Sequence, residues 1–367
     1  MAVLCLLLVF LLGVKGLGDG FKLFGQDFLD SFFSLTAHPF VGIFVGVLAT
    51  TLVQSSSVST SMIVGLVAAP ENPLPLANAV PMIMGANIGT TVTCTVVSLA
   101  HMGRRDEFEK AFAVAGCHDF FNILAVMIFL PLELMTGYLQ GTAKAISALV
   151  VGIGGFTYES PLKASLDFGF APIQSLAEAM FDTDGGQALF LVSISAALIF
   201  LALWLLVGLM RALVISRIET AVASALGSNA MIAIVIGIIV TVMVQSSSIT
   251  TSIMVPLAAA GVLRLEQAFP ITIGANIGTT ITAMGAALAV SGANALAGIE
   301  IALVHLLFNL SAALLIYPVR RIRQVPLQAA RILAATAVKS RKLAMFYVGT
   351  MFYGFPILLI YVTQLFQ

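Results

Sequence analysis

"LVQSSSVSTSMIV", residues 52 to 64, decides the fold, because it places a glutamine and six hydroxyl side chains inside an apolar run. A nearly identical stretch, "MVQSSSITTSIMV", occupies residues 243 to 255. The whole chain of 367 residues is 60% hydrophobic and 9% charged, with a mean hydropathy of +1.07. Several of its runs reach the roughly 20 apolar residues that cross a bilayer as a helix. This composition predicts an all-α, multi-pass membrane protein.

Two further motifs repeat in the same order, which indicates an internal duplication. "GANIGTT" at 85–91 recurs at 274–280, and "HDFFN" at 118–122 resembles "HLLFN" at 305–309. Together with the QSSS pair, the copies are separated by 191, 189 and 187 residues. Three matches in register predict two homologous halves.

Each half contains an apolar helix, a segment broken at QSSS, a second broken segment at GANIGTT and a further helix. The QSSS segments, roughly 39 to 69 and 229 to 261, would each span about 45 Å as unbroken helices, which exceeds the hydrocarbon core. Non-helical backbone at membrane depth is tolerated only where it lines a cavity or is buried in protein. We therefore expect two re-entrant helical hairpins with polar tips, and two broken helices at GANIGTT.

The basic residues of the loops predict how the halves are oriented. Arg104, Arg105 and Lys110 follow the first GANIGTT segment, whereas residues 291–298 after the second carry no basic residue. Lysine and arginine mark cytoplasmic loops. The loop after the GANIGTT segment is therefore expected in the cytoplasm in the first half and outside in the second half. The first hairpin then enters from outside and the second from the cytoplasm. This pattern favours an inverted-repeat secondary transporter, and an anion channel stays open.

The chain divides into four regions on these grounds. Residues 1–137 form the first repeat, with an N-terminal helix over 2–14, and residues 188–319 form the second. Residues 138–187, with two lysines and five acidic residues, are expected to be an external linker. Residues 320–367 are expected to be a basic cytoplasmic loop followed by a C-terminal helix over 344–363, since 320–342 holds seven basic and no acidic residues.

The polar tips offer ligands for both a cation and an anion. Sodium takes oxygen ligands, whereas an oxyanion needs hydroxyl and amide donors or a helix N-terminus. No lysine or arginine lies in the motifs, so bound sodium would supply the positive charge that an anion requires in a low-dielectric site. The predicted substrate and sodium ligands are Gln54, Ser55, Ser56, Ser57, Thr60, Asn87, Thr90, Gln245, Ser246, Ser247, Ser248, Thr251, Asn276 and Thr279.

The small residues of these segments can be interpreted in two ways, as sites of helix breaks or as sites of helix packing. Gly85, Gly89, Gly274 and Gly278 permit the backbone either to break or to approach a neighbouring helix. For Thr50, Gly46 and Gly237 we favour plain helix packing, which small residues commonly mediate in membranes.

Asp119 is the ionisable residue that stands out inside an apolar span, which marks it as a functional candidate. Asn122 lies three positions on, on the same helical face. Leu306 occupies the paired position in the second half, so the pair predicts an additional sodium site in one half only. His118 and His305 occupy equivalent positions, and we expect both to be structural hydrogen-bonding residues.

Other functional classes find little support in the sequence. The net charge is zero, so nothing suggests nucleic acid as a partner. Cys5, Cys94 and Cys117 show neither metal-binding nor disulfide spacing. The chain has no GxSxG motif and no histidine beside a QSSS serine, so we do not expect an enzyme. Sodium is the only metal expected, no cofactor is expected, and homo-oligomerisation is left open.

At these residues the chain resembles the type II sodium-phosphate cotransporter family. The resemblance covers about 39–135 and 235–340, and it rests on "VQSSS" and "NIGTT", each present twice, with "RRDEFEKAFA", "HDFFN" and "FLPLE". It implies sodium-driven uptake of inorganic phosphate by alternating access, with the divalent anion favoured. The two QSSS motifs would then line shared sodium and phosphate sites within the lipid bilayer.

The resemblance also bears on charge movement and location. Ala113, Ala115 and Asp119 match the pattern of family members that move net charge, with the aspartate serving the additional sodium. The short linker lacks the paired cysteines and glycosylation sites of animal members, which implies a bacterial protein in the cell inner (plasma) membrane. A related carrier of sulfate or a dicarboxylate stays open, and arsenate is expected to enter with phosphate.

Overall fold

The computed structural model describes residues 2–23, 36–69, 72–152, 163–224, 229–290 and 294–365. Within these ranges the regular structure is helical, and no strand occurs. A π-helical turn, Thr350–Gly354, joins the last two α-helices. The α-helices in chain order are α1 (Ala2–Lys22), α2 (Pro39–Val53), α3 (Ser56–Val67), α4 (Leu76–Thr90), α5 (Val92–Leu99), α6 (Arg105–Thr136), α7 (Tyr138–Gly152), α8 (Lys163–Met180), α9 (Asp184–Ser224), α10 (Ala230–Val244), α11 (Ser247–Ala259), α12 (Leu265–Ala289), α13 (Ala295–Ile316), α14 (Arg320–Ala337), α15 (Arg341–Gly349) and α16 (Phe355–Leu365).

Six helical segments of the described chain are long and apolar enough to cross a membrane. The prediction of an all-helical protein is therefore confirmed for the described residues, with six candidate membrane spans. The N-terminal helix, Ala2–Lys22, is longer than the predicted 2–14. The six segments are Leu76–Leu99, Arg105–Thr136, Asp184–Leu205, Leu265–Leu288, Ala295–Ile316 and Arg341–Thr363.

Both QSSS motifs interrupt their helices in the same way. Gln54 (φ 58°, ψ 22°) and Gln245 (φ 57°, ψ 26°) adopt the left-handed conformation, which is uncommon for residues other than glycine. The serine that follows each glutamine caps the next helix: the side-chain oxygens of Ser55 and Ser246 accept N–H bonds of 3.4 Å from Val58 and Ile249. The predicted helix breaks at QSSS are confirmed, and the two copies share one local geometry.

The glycines around these breaks bring helix backbones together. Helix α2 packs against α4, and α10 packs against α12. A Cβ atom on Gly46, Gly85, Gly237 or Gly274 would overlap a main-chain carbonyl of the neighbouring helix. The packing role expected for Gly46 and Gly237 is therefore confirmed, and the first glycine of each GANIGTT motif shares it.

The breaks predicted at GANIGTT are largely wrong. In the first copy only Thr91 separates α4 from α5, with right-handed helical angles of φ −74° and ψ −17°. The second copy lies within α12, a continuous helix from Leu265 to Ala289. The reason is that these glycines are used for close helix approach rather than for a turn.

The segment predicted to be a basic loop is also helical. Helix α14 packs against α6 and buries Leu327 and Ala330 in the main hydrophobic core. Its Ala334 is buried in a smaller cluster that includes Phe108 and Phe112. Its apolar residues recur every three or four positions, a spacing that the arginines obscured in the sequence. The linker assigned to 138–187 likewise contains α7 and α8, and the predicted C-terminal helix is divided by the π-helical turn.

Candidate functional site

The two QSSS tips border one cavity of about 250 Å³. Each tip contributes its glutamine and the serine that follows it, and Ser248 adds a third polar residue from the second tip. The complete lining is Val53, Gln54, Ser55, Val58, Thr93, Phe200, Leu203, Trp204, Gln245, Ser246, Ser248 and Ile249. Two motifs that are 191 residues apart in the sequence thus line the same cavity.

The glutamine side chains at this cavity are held by matched hydrogen bonds. Gln54 Nε2 donates to the main-chain oxygen of Thr51 at 2.9 Å, while its Oε1 accepts from Thr93 Oγ1 at 3.1 Å. Gln245 Nε2 donates to Val242 O at 2.7 Å, while its Oε1 accepts from Thr282 Oγ1 at 3.0 Å. Both amides are therefore oriented before any ligand arrives.

Thr93 and Thr282, which donate to the two glutamines, were not among the residues predicted from the sequence. Each lies three residues after the first threonine of a GANIGTT motif, and the two are separated by the same 189 residues as the motifs. Extending the repeat comparison by three residues would have identified them as a pair.

Helix ends of both polarities border the cavity. Helices α2 and α10 end at the tips, where the carbonyl groups of the last turn carry partial negative charge and suit a cation. Helices α3 and α11 begin there, and their first N–H groups carry partial positive charge and suit an anion. Each tip thus places a helix C-terminus beside a helix N-terminus.

The opposite wall of the cavity is apolar. Phe200, Leu203 and Trp204 lie at positions i, i+3 and i+4 of α9, which is one face of that helix. The described residues that line this cavity include no lysine or arginine. An anion in it would be held by neutral donors and helix ends, in surroundings that exclude part of the water.

The other predicted ligands lie behind the cavity lining. Ser56, Ser57 and Ser247 are buried in the first turns of α3 and α11, and Asn87 and Asn276 are buried in α4 and α12. Four threonine hydroxyls donate to a carbonyl one turn earlier in their own helix, as threonine commonly does. These bonds are Thr60 to Ser56 (2.8 Å), Thr90 to Ala86 (2.8 Å), Thr251 to Ser247 (2.9 Å) and Thr279 to Ala275 (3.1 Å).

A buried polar network joins the two halves of the chain. His118 Nε2 and Asn276 Oδ1 are 2.8 Å apart, and Asn276 Nδ2 donates to Asn122 Oδ1 at 2.6 Å. Asn122 Nδ2 in turn donates to the main-chain oxygen of Asn87 at 2.8 Å. Because every link is buried, the network fixes α6 between the two GANIGTT helices.

The equivalent residues of the second half do not form such a network. Both ring nitrogens of His305 are buried, and neither finds a hydrogen-bond partner among the described residues. Asn309 Nδ2 donates only to the main-chain oxygen of His305, at 3.0 Å. The structural hydrogen-bonding role expected of the histidines is therefore met by His118 and not by His305.

Asp119 lies apart from this network and is completely buried. The hydroxyl of Tyr347 donates to Asp119 Oδ2 at 2.8 Å, and Thr95 Oγ1 lies 3.3 and 3.4 Å from the two carboxylate oxygens. Asn122, which the sequence paired with Asp119, bonds to the asparagine network instead. Tyr347 was not predicted from the sequence, because it lies 228 residues away in a helix that carries none of the repeated motifs.

Comparisons with known proteins identify the family of the chain. A profile of the Na+/Pi-cotransporter family matches residues 9–158 and 189–360. Sodium-dependent phosphate transport protein 2A of Ovis aries is 33% identical over 92% of this chain and 62% of its own length. Protein 2B of Homo sapiens is 31% identical over 92% of this chain and 60% of its own length, so the chain spans about three fifths of these relatives. No solved structure matches the chain. The family profile covers most of the sequence, and the chain belongs to the Na+/Pi-cotransporter family.

Proposed function

We propose that this protein carries inorganic phosphate into the cell together with sodium, as a symporter of the inner (plasma) membrane. The family and the names of its relatives, sodium-dependent phosphate transport proteins, support the two substrates. The six apolar helices support a multi-pass location. The coupling ion is sodium, and the proposal involves no cofactor.

The observation that carries the proposal is the shared cavity of the two tips. Two helix C-termini and two helix N-termini border it, with oriented glutamine amides and serine hydroxyls between them. Sodium would bind carbonyl, amide and hydroxyl oxygens. Phosphate would bind the N–H groups and the hydroxyl donors. A site with both sets of ligands in one small space can bind the two ions together.

The described part of the cavity lining carries no basic side chain, and this supplies a physical reason for coupling. Burying a divalent anion without a compensating charge is strongly unfavourable in low dielectric. Sodium bound at the adjacent carbonyl ends lowers that free energy, and phosphate in turn favours sodium. Each ion therefore raises the affinity for the other, and neither is carried efficiently alone.

The architecture that we propose for transport is a pair of inverted repeats that alternate access to the cavity. Helices α2 and α3 have 15 and 12 residues, and α10 and α11 have 15 and 13. At 1.5 Å per residue each is roughly 18 to 23 Å long, too short to cross the core alone. A left-handed glutamine between two short helices supports a re-entrant hairpin in each half. The unequal basic loops around 104–110 and 291–298 support opposite orientations.

Asp119 is proposed to bind an additional sodium, which would make transport of divalent phosphate electrogenic. The carboxylate is buried, and no lysine or arginine of the described residues pairs with it. Its hydrogen bonds to the neutral hydroxyl groups of Thr91, Thr95 and Tyr347 leave a negative charge that a cation can neutralise. Asn122 lies one helical turn away and remains a proposed part of this site.

A competition assay tests which anion the cavity takes. Purified protein in liposomes should take up labelled phosphate when external sodium is present, and excess unlabelled phosphate or arsenate should inhibit this uptake strongly. Sulfate and dicarboxylates should inhibit weakly. Equal inhibition by sulfate would contradict phosphate as the substrate and favour a carrier of another oxyanion.

Charge movement is measured on the same preparation. We expect Asp119→Gly to retain sodium-dependent phosphate uptake while the current per phosphate falls, because one cation is no longer carried. A variant that moves the same charge per phosphate as the wild type would contradict the additional sodium site.

A further inference from the structure

Tyr347 donates a short hydrogen bond to the Asp119 carboxylate from a helix that carries none of the repeated motifs. The phenol oxygen lies 2.8 Å from Asp119 Oδ2, compared with 3.3 Å for Thr95 Oγ1. Asp119 belongs to α6, whereas Tyr347 belongs to α15 near the end of the chain. The second half has leucine at the position equivalent to Asp119, so this contact has no counterpart there.

The ring of Tyr347 is fixed by packing, which leaves its hydroxyl as the group that can change partners. The ring lies edge to face with Phe112 at 6.2 Å and with Phe352 at 6.4 Å between centroids. These aromatic contacts need only the ring and would survive loss of the hydroxyl.

The helix that carries Tyr347 is irregular immediately beyond it. Residues Thr350–Gly354 form a π-helical turn between α15 and α16. Such turns replace the regular hydrogen-bond ladder over a few residues and are frequent at functional sites. A small shift of α15 is easier at this point than in an unbroken helix, because the local backbone bonds are already rearranged.

The chemistry of the contact places Tyr347 in competition with a cation. A phenol donates its single proton to an ionised carboxylate and thereby stabilises the negative charge. A sodium ion on Asp119 neutralises the same negative charge and thereby weakens the hydrogen bond that the charge made strong. The bond therefore stabilises the sodium-free state more than the sodium-bound state.

We propose that Tyr347 is a positioning residue of the Asp119 cation site, whose hydroxyl holds the carboxylate when sodium is absent and is displaced when sodium binds. Sodium occupancy is thereby linked to the C-terminal helix, which lies outside the two repeats. This inference rests on the sodium site proposed above for Asp119.

The first test is Tyr347→Phe, which removes the hydroxyl and keeps the ring. Loss of a hydrogen bond to a charged group should lower the sodium concentration for half-maximal phosphate uptake about tenfold. The KM for phosphate at saturating sodium should not change. In the Asp119→Gly background, Tyr347→Phe should have no further effect on sodium activation.

Tyr353→Phe is the matched control, because Tyr353 packs in the same hydrophobic cluster as Tyr347 and makes no hydrogen bond to Asp119. Its sodium activation should equal that of the wild type. Unchanged sodium activation in Tyr347→Phe would overturn the proposal. A higher half-maximal concentration would overturn it too, since the hydroxyl would then be a sodium ligand.

A second measurement uses the wild-type protein and does not depend on how a variant folds. Hydrogen exchange of residues 341–354 should be faster in sodium than in potassium, with no phosphate present, because sodium releases the hydroxyl. Equal exchange in the two salts would overturn the proposal. Absence of sodium-dependent phosphate uptake by the wild type would refute the proposed function, and that result is distinct from either outcome for Tyr347.

Discussion

Substitution of Gly278 by alanine tests whether close helix approach positions the second tip. An added Cβ would lie 2.8 Å from Thr241 Cβ and 2.9 Å from the main-chain oxygen of Ile238, both on α10. Carbon atoms pack at about 3.5 to 4.0 Å, so α10 and α12 would have to separate by roughly 1 Å. Thr241 donates to Thr250 of α11 at 2.9 Å, so the displacement would reach the helix that begins at the cavity.

Gly285 provides the control for this substitution, because it lies on the same helix and a Cβ there would meet nothing within 4 Å. Alanine is favoured over glycine in a helix by about 0.8 to 1.0 kcal/mol, and this gain applies equally at both positions. The difference in the free energy of unfolding between the two variants therefore measures the cost of overpacking, which is about 1 to 3 kcal/mol.

The assay is thermal unfolding of the purified variants in detergent, followed by uptake in liposomes. At roughly 2 to 4 °C per kcal/mol, Gly278→Ala should unfold several degrees below Gly285→Ala. It should also show a higher KM for phosphate, while Gly285→Ala should match the wild type. Equal midpoints and equal KM values for the two variants would refute the packing account of the GANIGTT glycines.

Three further predictions concern the cavity and the buried network. Ser248→Ala removes a donor at the cavity and should raise the KM for phosphate about tenfold. Ser252→Ala removes a hydroxyl of the same helix that has no hydrogen-bond partner among the described residues, and it should have little effect on uptake. Asn276→Ala removes the hydrogen-bond partner of His118 Nε2 and of Asn122 Oδ1 and should lower stability by about 1 to 3 kcal/mol, more than Asn309→Ala. A smaller loss in thermal unfolding would count against the network. Trp204, the single tryptophan, lines the cavity, so sodium with phosphate should protect its fluorescence from iodide; unchanged quenching would place the ligand elsewhere.

The helix breaks were predictable because a polar tip inside an apolar segment has few physical solutions. Membrane-embedded backbone must be hydrogen-bonded or must line a cavity, so a glutamine beside three serines signals an interruption. The repeated motif then identified the second interruption independently. The structure adds that Gln54 and Gln245 themselves make the turn, in a conformation that sequence alone did not assign to them.

The GANIGTT helices were not predictable on the same grounds, because glycine serves two opposite purposes. It permits a break, and it also permits two helix backbones to approach. Which purpose applies depends on the neighbouring helix, such as Ile234 of α10 opposite Gly274. The local sequence carries no signal that separates the two cases.

At the site, residues within the motifs were predictable from the sequence, whereas residues contributed by distant helices were not. Gln54, Ser55, Gln245, Ser246 and Ser248 were predicted from their motifs and line the cavity. Trp204 and Tyr347 were not predicted, since their side chains reach the polar groups from helices far along the chain. The repeat likewise indicated that His118 and His305 are equivalent, although only His118 is hydrogen-bonded within the described residues.

The most direct test of sodium coupling at the shared cavity is accumulation of phosphate against its own gradient. Liposomes containing the protein would be given equal labelled phosphate on both sides and an inward sodium gradient. We predict that internal phosphate rises above the external concentration and returns to equality when an ionophore dissipates the sodium gradient. Phosphate that only equilibrates, at the same rate in sodium and in potassium, would contradict coupled transport and indicate a channel.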